Sequence, residues 1–287
     1  MRLPEFDSRN ALESAVGAEG LSAGDLQADA ASAAVEAFRG RVRSGEIGFP
    51  NLPKDAATAR AVVEFADDLR PNIDDVLVVG IGGSALGAYA LDAAMRGPHP
   101  VQTSPARKSS GKRKRARPRL VSLDNVDPGF VAAALERLDP KRTAVCVIAK
   151  SGSTAETLAT FLIVRRWITE ALGKRARARI IAITDAKKGD LLAIAKEEKY
   201  PLFFIPANVG GRFSVFTPVG LVPAALIGLD VAKLLRGAAD ANKRCWSSKL
   251  EANPALESAL VHHALNTRKK KSIEVVFAYS SYLWGAA

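Results

Sequence analysis

Five short apolar runs, Val76–Val79, Leu120–Leu123, Ala144–Ala149, Arg179–Ile183 and Leu202–Ile205, alternate along the chain with longer helix-patterned stretches. Most are rich in valine, isoleucine and leucine and all are shorter than a typical helix, as in strands buried on both faces. The stretches between them, Ser84–Met95, Pro128–Leu138, Thr154–Leu172 and Asp190–Glu197, read as helices. Strand–helix–strand units of this kind connect right-handedly and build a parallel sheet covered by helices on both faces. The expected fold is therefore α/β with a five-stranded parallel sheet. Ligands on such sheets bind beyond the carboxyl ends of the strands, so the loops that follow the strands are where chemistry is sought.

Three of those loops carry unusual residues. The first strand runs into Gly80-Ile-Gly-Gly-Ser-Ala-Leu-Gly87, where Gly80, Gly82 and Gly83 let the backbone turn sharply and approach a ligand, and Ser84 stands where a helix would start. A dinucleotide fingerprint is incomplete here because Ala85 replaces its third glycine, and a Walker A loop is excluded because no lysine follows. A ligand-free tight turn and a small phosphorylated or acidic ligand both remain open on these residues. The third strand ends in Lys150-Ser-Gly-Ser-Thr-Ala-Glu156, which combines a cation, three hydroxyls and a helix start, an oxygen-anion cradle. Within it Ser153 and Glu156 have the spacing of a capping box, which explains those two residues without a ligand but leaves Lys150, Ser151 and Thr154 over. After the fifth strand, Gly210-Gly-Arg212 places a permanent, fork-shaped cation beside a glycine pair. A solvated surface arginine is the plain alternative.

The rest of the chain sets bounds. A helix over Asp25–Val42 is expected from Leu26, Ala30, Ala34, Phe38 and Val42, followed by a Gly- and Pro-punctuated connector and a second helix over Ala56–Leu69. Pro218–Leu229 reads as an apolar helix, Lys233–Leu265 as helical, and Ile273–Ala278 as a strand. No run of about 18 apolar residues exists, and the amino terminus lacks the apolar core of a signal peptide; a cytoplasmic protein with no membrane segment is expected. The two cysteines, Cys146 in an apolar run and Cys245, suit a reduced compartment. The formal charge of +11 is concentrated in loop 105–119, where eight basic residues fall between Arg107 and Arg119 without an acid or an aromatic. That composition predicts a solvated, mobile loop, with nonspecific polyanion contact as the alternative; specific nucleic-acid recognition is not expected without stacking residues.

Taken together and in order, Gly80–Gly87, Asp124-Asn-Val-Asp-Pro128, Ala149-Lys-Ser-Gly-Ser-Thr-Ala-Glu-Thr157 and Val209-Gly-Gly-Arg-Phe-Ser-Val-Phe-Thr-Pro-Val-Gly220 resemble the bacterial branch of the phosphoglucose isomerase family. The lysine loop and the Gly-Gly-Arg stretch together are the specific part, and the similarity runs from about Asp25 to Leu283. The resemblance implies a three-layer αβα sugar isomerase (SIS) fold: a helical segment at 1–54, a first SIS domain at 55–207 and the start of a second, incomplete one at 208–287. It implies interconversion of glucose 6-phosphate and fructose 6-phosphate through a cis-enediolate, in glycolysis and gluconeogenesis, without metal or organic cofactor. By the same resemblance Gly83 and Ser84 contact the sugar phosphate, Lys150, Ser151, Gly152, Ser153 and Thr154 hold its phosphate, and Arg212 stabilises the enediolate. Ala149 departs from members that have serine there. Family members continue beyond the Tyr279–Trp284 region into a segment with the base glutamate, then a ring-opening histidine and a lysine, so the resemblance implies a truncated or frameshifted, impaired chain. Thr169-Glu-Ala-Leu-Gly-Lys174 imitates part of that segment inside a helix, and the adjacent His262 and His263 point to different faces; neither takes over the role. The expected partners are the sugar phosphate and, for a complete chain, a second copy in a homodimer. A noncatalytic sugar-phosphate-binding SIS module is the alternative.

Overall fold

The computed structural model describes residues 5–26, 28–96, 117–151 and 154–283. Residues 105–116 of loop 105–119, together with Gly152 and Ser153, lie outside them. The chain forms two compact units: one from residues 1–53 and 234–277, the other from 54–233 and 278–287.

The larger unit is built on five parallel strands, β1 (Asp75–Val79), β2 (Arg119–Leu123), β3 (Thr143–Ala149), β4 (Ile180–Thr184) and β5 (Leu202–Phe204), in the order β2-β1-β3-β4-β5. Every residue of β1, β3 and β4 is buried, as the unbroken apolar runs require, whereas the edge strands β2 and β5 are only partly covered. Alternate residues face opposite sides of the sheet. Leu77, Val79, Val145, Val147, Ile180 and Ala182 share one core with Phe161, Val164 and Ile168 of helix α6 (Ala155–Leu172), and with residues of α5 (Pro128–Glu136) and α7 (Asp190–Glu197). The opposite face is covered by α3 (Ala56–Leu69), α4 (Leu86–Arg96) and α8 (Pro218–Leu226), with α8 packed on β1 and β3. This is the expected three-layer αβα sheet.

The α8 helix is nine residues long and buried along its whole length. Thr217 caps it, its hydroxyl accepting from the Val219 amide, with Pro218 at the first helical position. It stops at Leu226 rather than Leu229, because Gly228 turns left-handed at φ +80° and its amide returns to the Ala225 carbonyl.

The smaller unit contains α1 (Glu13–Val16), α2 (Ala28–Arg43), the greater part of α9 (Val231–Cys245) and α10 (Pro254–Lys269). The first long helix starts at Ala28, not Asp25, because the Asp25 carboxylate accepts from the Ser22 amide and hydroxyl in the preceding turn. Phe38 packs against Phe49 and Trp246 at ring-centroid distances of 6.2 and 6.1 Å. The expected helix over 233–265 is broken at 246–253. Pro254 has no amide to continue it, and Asn253 caps the new helix by accepting from the Leu256 amide while donating to the Cys245 and Ser247 carbonyls. The expected strand over Ile273–Ala278 does not form: Ile273 is 87% exposed, Val275 79% and Phe277 72%. β-prone side chains stabilise a strand only when a neighbouring strand offers a ladder and a surface to pack on.

Two polar pairs organise the start of the sheet. Asp75, 2% exposed at the first position of β1, accepts two hydrogen bonds from the cross-strand neighbour Arg119, at 2.6 and 3.0 Å. The pairing holds the Arg119 guanidinium proton more tightly than usual. Nearby, Arg96 at the end of α4 pairs with buried Asp92 and donates to the Pro118 carbonyl at 2.8 Å, joining the two described ends that flank residues 97–116. Arg119→Met leaves the Asp75 carboxylate buried without its partner. It is expected to lower unfolding free energy by about 2 kcal/mol, less than for a fully buried pair because Arg119 is half exposed. Urea denaturation that returns an unchanged midpoint would remove this role.

Candidate functional site

The sheet order reverses between β1 and β3: from β1 the chain goes outward to β2, and from β3 it goes the other way to β4 and β5. At such a reversal the connections leave in opposite directions and open a crevice at the strand ends. The Gly80–Ser84 turn ends β1 and the Lys150–Thr154 loop ends β3, so two of the three loops singled out from sequence flank this crevice.

The turn after β1 needs its glycines for different reasons. A Cβ on Gly80 would lie 2.8 Å from the Ser84 Cβ and 3.1 Å from the Ile148 carbonyl oxygen. Gly82 takes a left-handed φ of +56°, which disfavours a side chain. Residues Gly82–Ser84 form a 3₁₀ turn, and α4 begins only at Leu86, two residues after the expected start. The amides of Ser84 and Ala85 donate within the turn, to Ile81 and Gly82. The amides of Gly82 and Gly83 bond to no described residue. Sequence put Ser84 where a helix would start; in the structure the amides without a described partner are those of the two glycines before it.

At the end of β3, Thr154 is the N-cap residue of α6 by backbone conformation, yet its side chain caps none of the first-turn amides. Glu156 falls at the second helical position; the expected Ser153–Glu156 capping box involves Ser153, which is outside the described residues. The Thr154 hydroxyl instead lies 3.1 Å from the Ser151 hydroxyl, with Ser151 exposed and Thr154 half-buried. Two adjacent hydroxyls at a helix start that Thr154 leaves uncapped make a surface that favours an anion. Ala149 is buried in the core beneath, among the residues packed on α6, rather than presented in the loop.

The third loop comes from the far edge of the sheet. After β5 the chain returns across the strand ends and meets the glycine turn backbone to backbone: a Cβ built on Gly83 would lie 2.4 Å from the Gly211 carbonyl oxygen and 2.6 Å from its carbon. Ser214 reinforces the contact, its hydroxyl donating to the Gly211 carbonyl at 2.7 Å and lying 3.3 Å from the Gly83 carbonyl. On the other side, the Lys150 Nζ donates to the carbonyls of Ala207 at 3.0 Å and Val209 at 2.6 Å. Arg212 is exposed, and among the described residues it has no hydrogen-bond or ion-pair partner. The structure therefore brings Gly83, Ser84, Lys150 and the backbone of Gly211–Arg212 into one neighbourhood. Gly152 and Ser153 are outside the described residues.

Sequence reasoning gave no role to Ser214 or to the carbonyls of Ala207 and Val209. Ser214 stood inside a recognised motif, but nothing in a linear string shows that its hydroxyl bridges to residues near position 83. Among the described residues, no three His, Cys, Asp or Glu side chains are placed to share a metal ion, and no helix is long and apolar enough to cross a membrane. Cys146 lies fully buried in β3, where burial pushes its thiol pKa up and keeps it protonated.

A parallel αβα sheet with a glycine turn, a hydroxyl loop and an arginine loop gathered at its reversal is a domain of the sugar isomerase fold. Residues 63–287 match the phosphoglucose isomerase family. The chain is 38% identical over 253 residues to the glucose-6-phosphate isomerase of Carboxydothermus hydrogenoformans, an alignment covering 88% of this chain and 53% of that protein. It is 38% identical over 280 residues to the Rubrobacter xylanophilus enzyme of the same name, covering 97% and 61% respectively. The crystal structure of a hypothetical protein from Thermus thermophilus superposes with a TM-score of 0.69 at 37% identity, covering 82% of this chain and 52% of that one. This chain belongs to the phosphoglucose isomerase family, and it spans little more than half the length of the relatives it matches.

The loop contact gives a paired test. Gly83→Ala drives a methyl into the Gly211 backbone and is expected to cost about 1–3 kcal/mol. For a unit of this size that is a fall of roughly 3–10 °C in Tm. Gly211→Ala has open space around its Cβ and no left-handed φ, and is expected to change Tm by under about 2 °C. Equal losses in the two variants would show that the close approach is not a constraint on the fold.

Proposed function

We propose that the crevice binds a 6-phosphosugar and takes part in the interconversion of glucose 6-phosphate and fructose 6-phosphate, the activity for which the curated relatives are named. The observation that carries this reading is the convergence, at the β1/β3 reversal, of donors suited to an oxygen anion with the loop that bears Arg212. The phosphate is assigned to the start of α6 and the hydroxyls of Ser151 and Thr154, with Gly152 and Ser153 as further contacts. Gly83 and Ser84 contact the sugar phosphate from the glycine turn. Arg212 faces the carbon end, where its fixed positive charge stabilises the enediolate that forms when a proton moves between C1 and C2. Charge placed in advance where negative charge develops lowers the barrier without reorganising in the step itself. No metal or organic cofactor has a part in this scheme. The reading also implies a cytoplasmic protein that pairs with a second copy.

Two measurements test it on the 287-residue chain. In calorimetry, glucose 6-phosphate is expected to bind and unphosphorylated glucose not to. Ser151→Ala/Thr154→Val should weaken the phosphosugar about tenfold or more, through loss of charge-assisted hydrogen bonds. In a coupled assay, Arg212→Ala is expected to lower any turnover by about 10²–10³-fold. Equal binding of glucose and its phosphate would overturn the reading. Phosphosugar binding by a folded chain without turnover would instead identify a noncatalytic sugar-phosphate-binding module.

A further inference from the structure

The Lys150 ammonium is the one charged side chain of the hydroxyl loop, and its hydrogen bonds run away from that loop. Two of its three N–H donors are committed to backbone carbonyls, Ala207 at 3.0 Å and Val209 at 2.6 Å. Both carbonyls lie in the segment that returns from β5 toward the crevice. In the sheet, β4 stands between β3 and β5, so this segment has to cross the end of β4 to reach the β1/β3 reversal. It is held at two places. Lys150 holds it just before Gly210, and the Gly83–Gly211 contact with the Ser214 hydroxyl holds it just after. Arg212 lies within the second hold, and among the described residues no hydrogen bond or ion pair of its own side chain adds to that hold.

We propose that Lys150 is a positioning residue: it ties the arginine loop to the end of β3 and so sets where the Arg212 charge stands, instead of donating its ammonium to the phosphate. The proposal rests on the sugar-phosphate reading above for its consequence, though not for the tether itself. A lysine that contacts phosphate directly must leave both carbonyls, and the loop would then depend on Gly83 and Ser214 alone. A lysine that stays on the carbonyls contributes to catalysis through Arg212 and leaves phosphate binding to the hydroxyls and backbone amides. The two arrangements differ in which ligand atoms feel the loss of the lysine.

The experiment compares the wild-type chain with Lys150→Met, Lys150→Arg, Arg212→Ala and the Lys150→Met/Arg212→Ala double variant. Two probes are titrated: inorganic phosphate, and a phosphorylated five-carbon aldonate whose carboxylate places anionic oxygens where those of the enediolate develop. Lys150→Met is expected to weaken the phosphoaldonate about tenfold and inorganic phosphate less than about threefold. The double variant should bind the phosphoaldonate no more than about twofold more weakly than Arg212→Ala, because both changes remove one coupled effect. Lys150→Arg, which can donate to both carbonyls, should restore most of the loss. Amide hydrogen exchange over residues 206–214, measured without ligand, should speed up in Lys150→Met and return toward wild type in Lys150→Arg. Inorganic phosphate weakened as much as the phosphoaldonate, or exchange unchanged in Lys150→Met, would overturn the proposal. A wild-type chain that binds neither probe would sink the sugar-phosphate reading, while the exchange comparison still decides the tether.

Discussion

The contact between the Gly83 and Gly211 backbones is the point on which the site depends. Two loops that leave the sheet three strands apart can meet this closely because position 83 presents no side chain to the other loop: a single methyl there would overlap the Gly211 carbonyl. Close packing is unforgiving because a native interior has no spare volume to absorb such an overlap. Around this contact the rest falls into place. The Ser214 hydroxyl bridges the two loops, Thr217 turns the chain into α8, and α8 returns to cover β1 and β3, the strands whose ends form the crevice. Function and fold therefore share one constraint here, since the element that completes the core is reached through the loop that carries Arg212.

The electrostatics of the crevice follow a division of labour. Backbone amides at Gly82 and Gly83, the start of α6 and the paired hydroxyls of Ser151 and Thr154 offer short, directed donors. Such donors suit a phosphate without needing a full positive charge, because the helix dipole and several N–H groups act together. The two cations are placed differently. Lys150 is engaged with peptide carbonyls, and Arg212 is left exposed with its charge uncommitted among the described residues. The concentrated positive charge of loop 105–119 is set apart from this arrangement in sequence. At its base, Arg96, Asp92 and Pro118 join the ends that flank the segment.

Unequal support explains where the two units differ. In the larger one every central strand has neighbours on both sides and helices on both faces, so apolar runs such as Thr143–Ala149 become strands without remainder. In the smaller one the β-prone run Ile273–Phe277 has the composition of a strand and stays outside any sheet, its side chains largely exposed. Composition alone cannot supply the partner that a ladder needs. The same lesson holds for the stretch 233–265, where the helical pattern continues through a segment that Asn253 and Pro254 interrupt.

The strand–helix alternation, the limits of most elements within a few residues, and the candidate loops at the strand ends were legible in the sequence. They rest on local signals: periodicity, glycine and proline placement, and capping residues act over a few neighbours. Local too was the recognition of the glycine turn, the hydroxyl loop and the Gly-Gly-Arg stretch as parts of one family's pattern. The sheet order, and with it the crevice between β1 and β3, came only from the tertiary structure, because parallel pairing joins residues as distant as Val79 and Leu123 or Val79 and Val147. Tertiary structure alone also decided that Lys150 reaches carbonyls 57 and 59 positions away, that the Thr154 hydroxyl turns to Ser151 and not to the first-turn amides of α6, and that Ser214 lies against Gly83. These are long-range contacts whose free energy depends on packing, and no local propensity carries information about which distant backbone a side chain will meet.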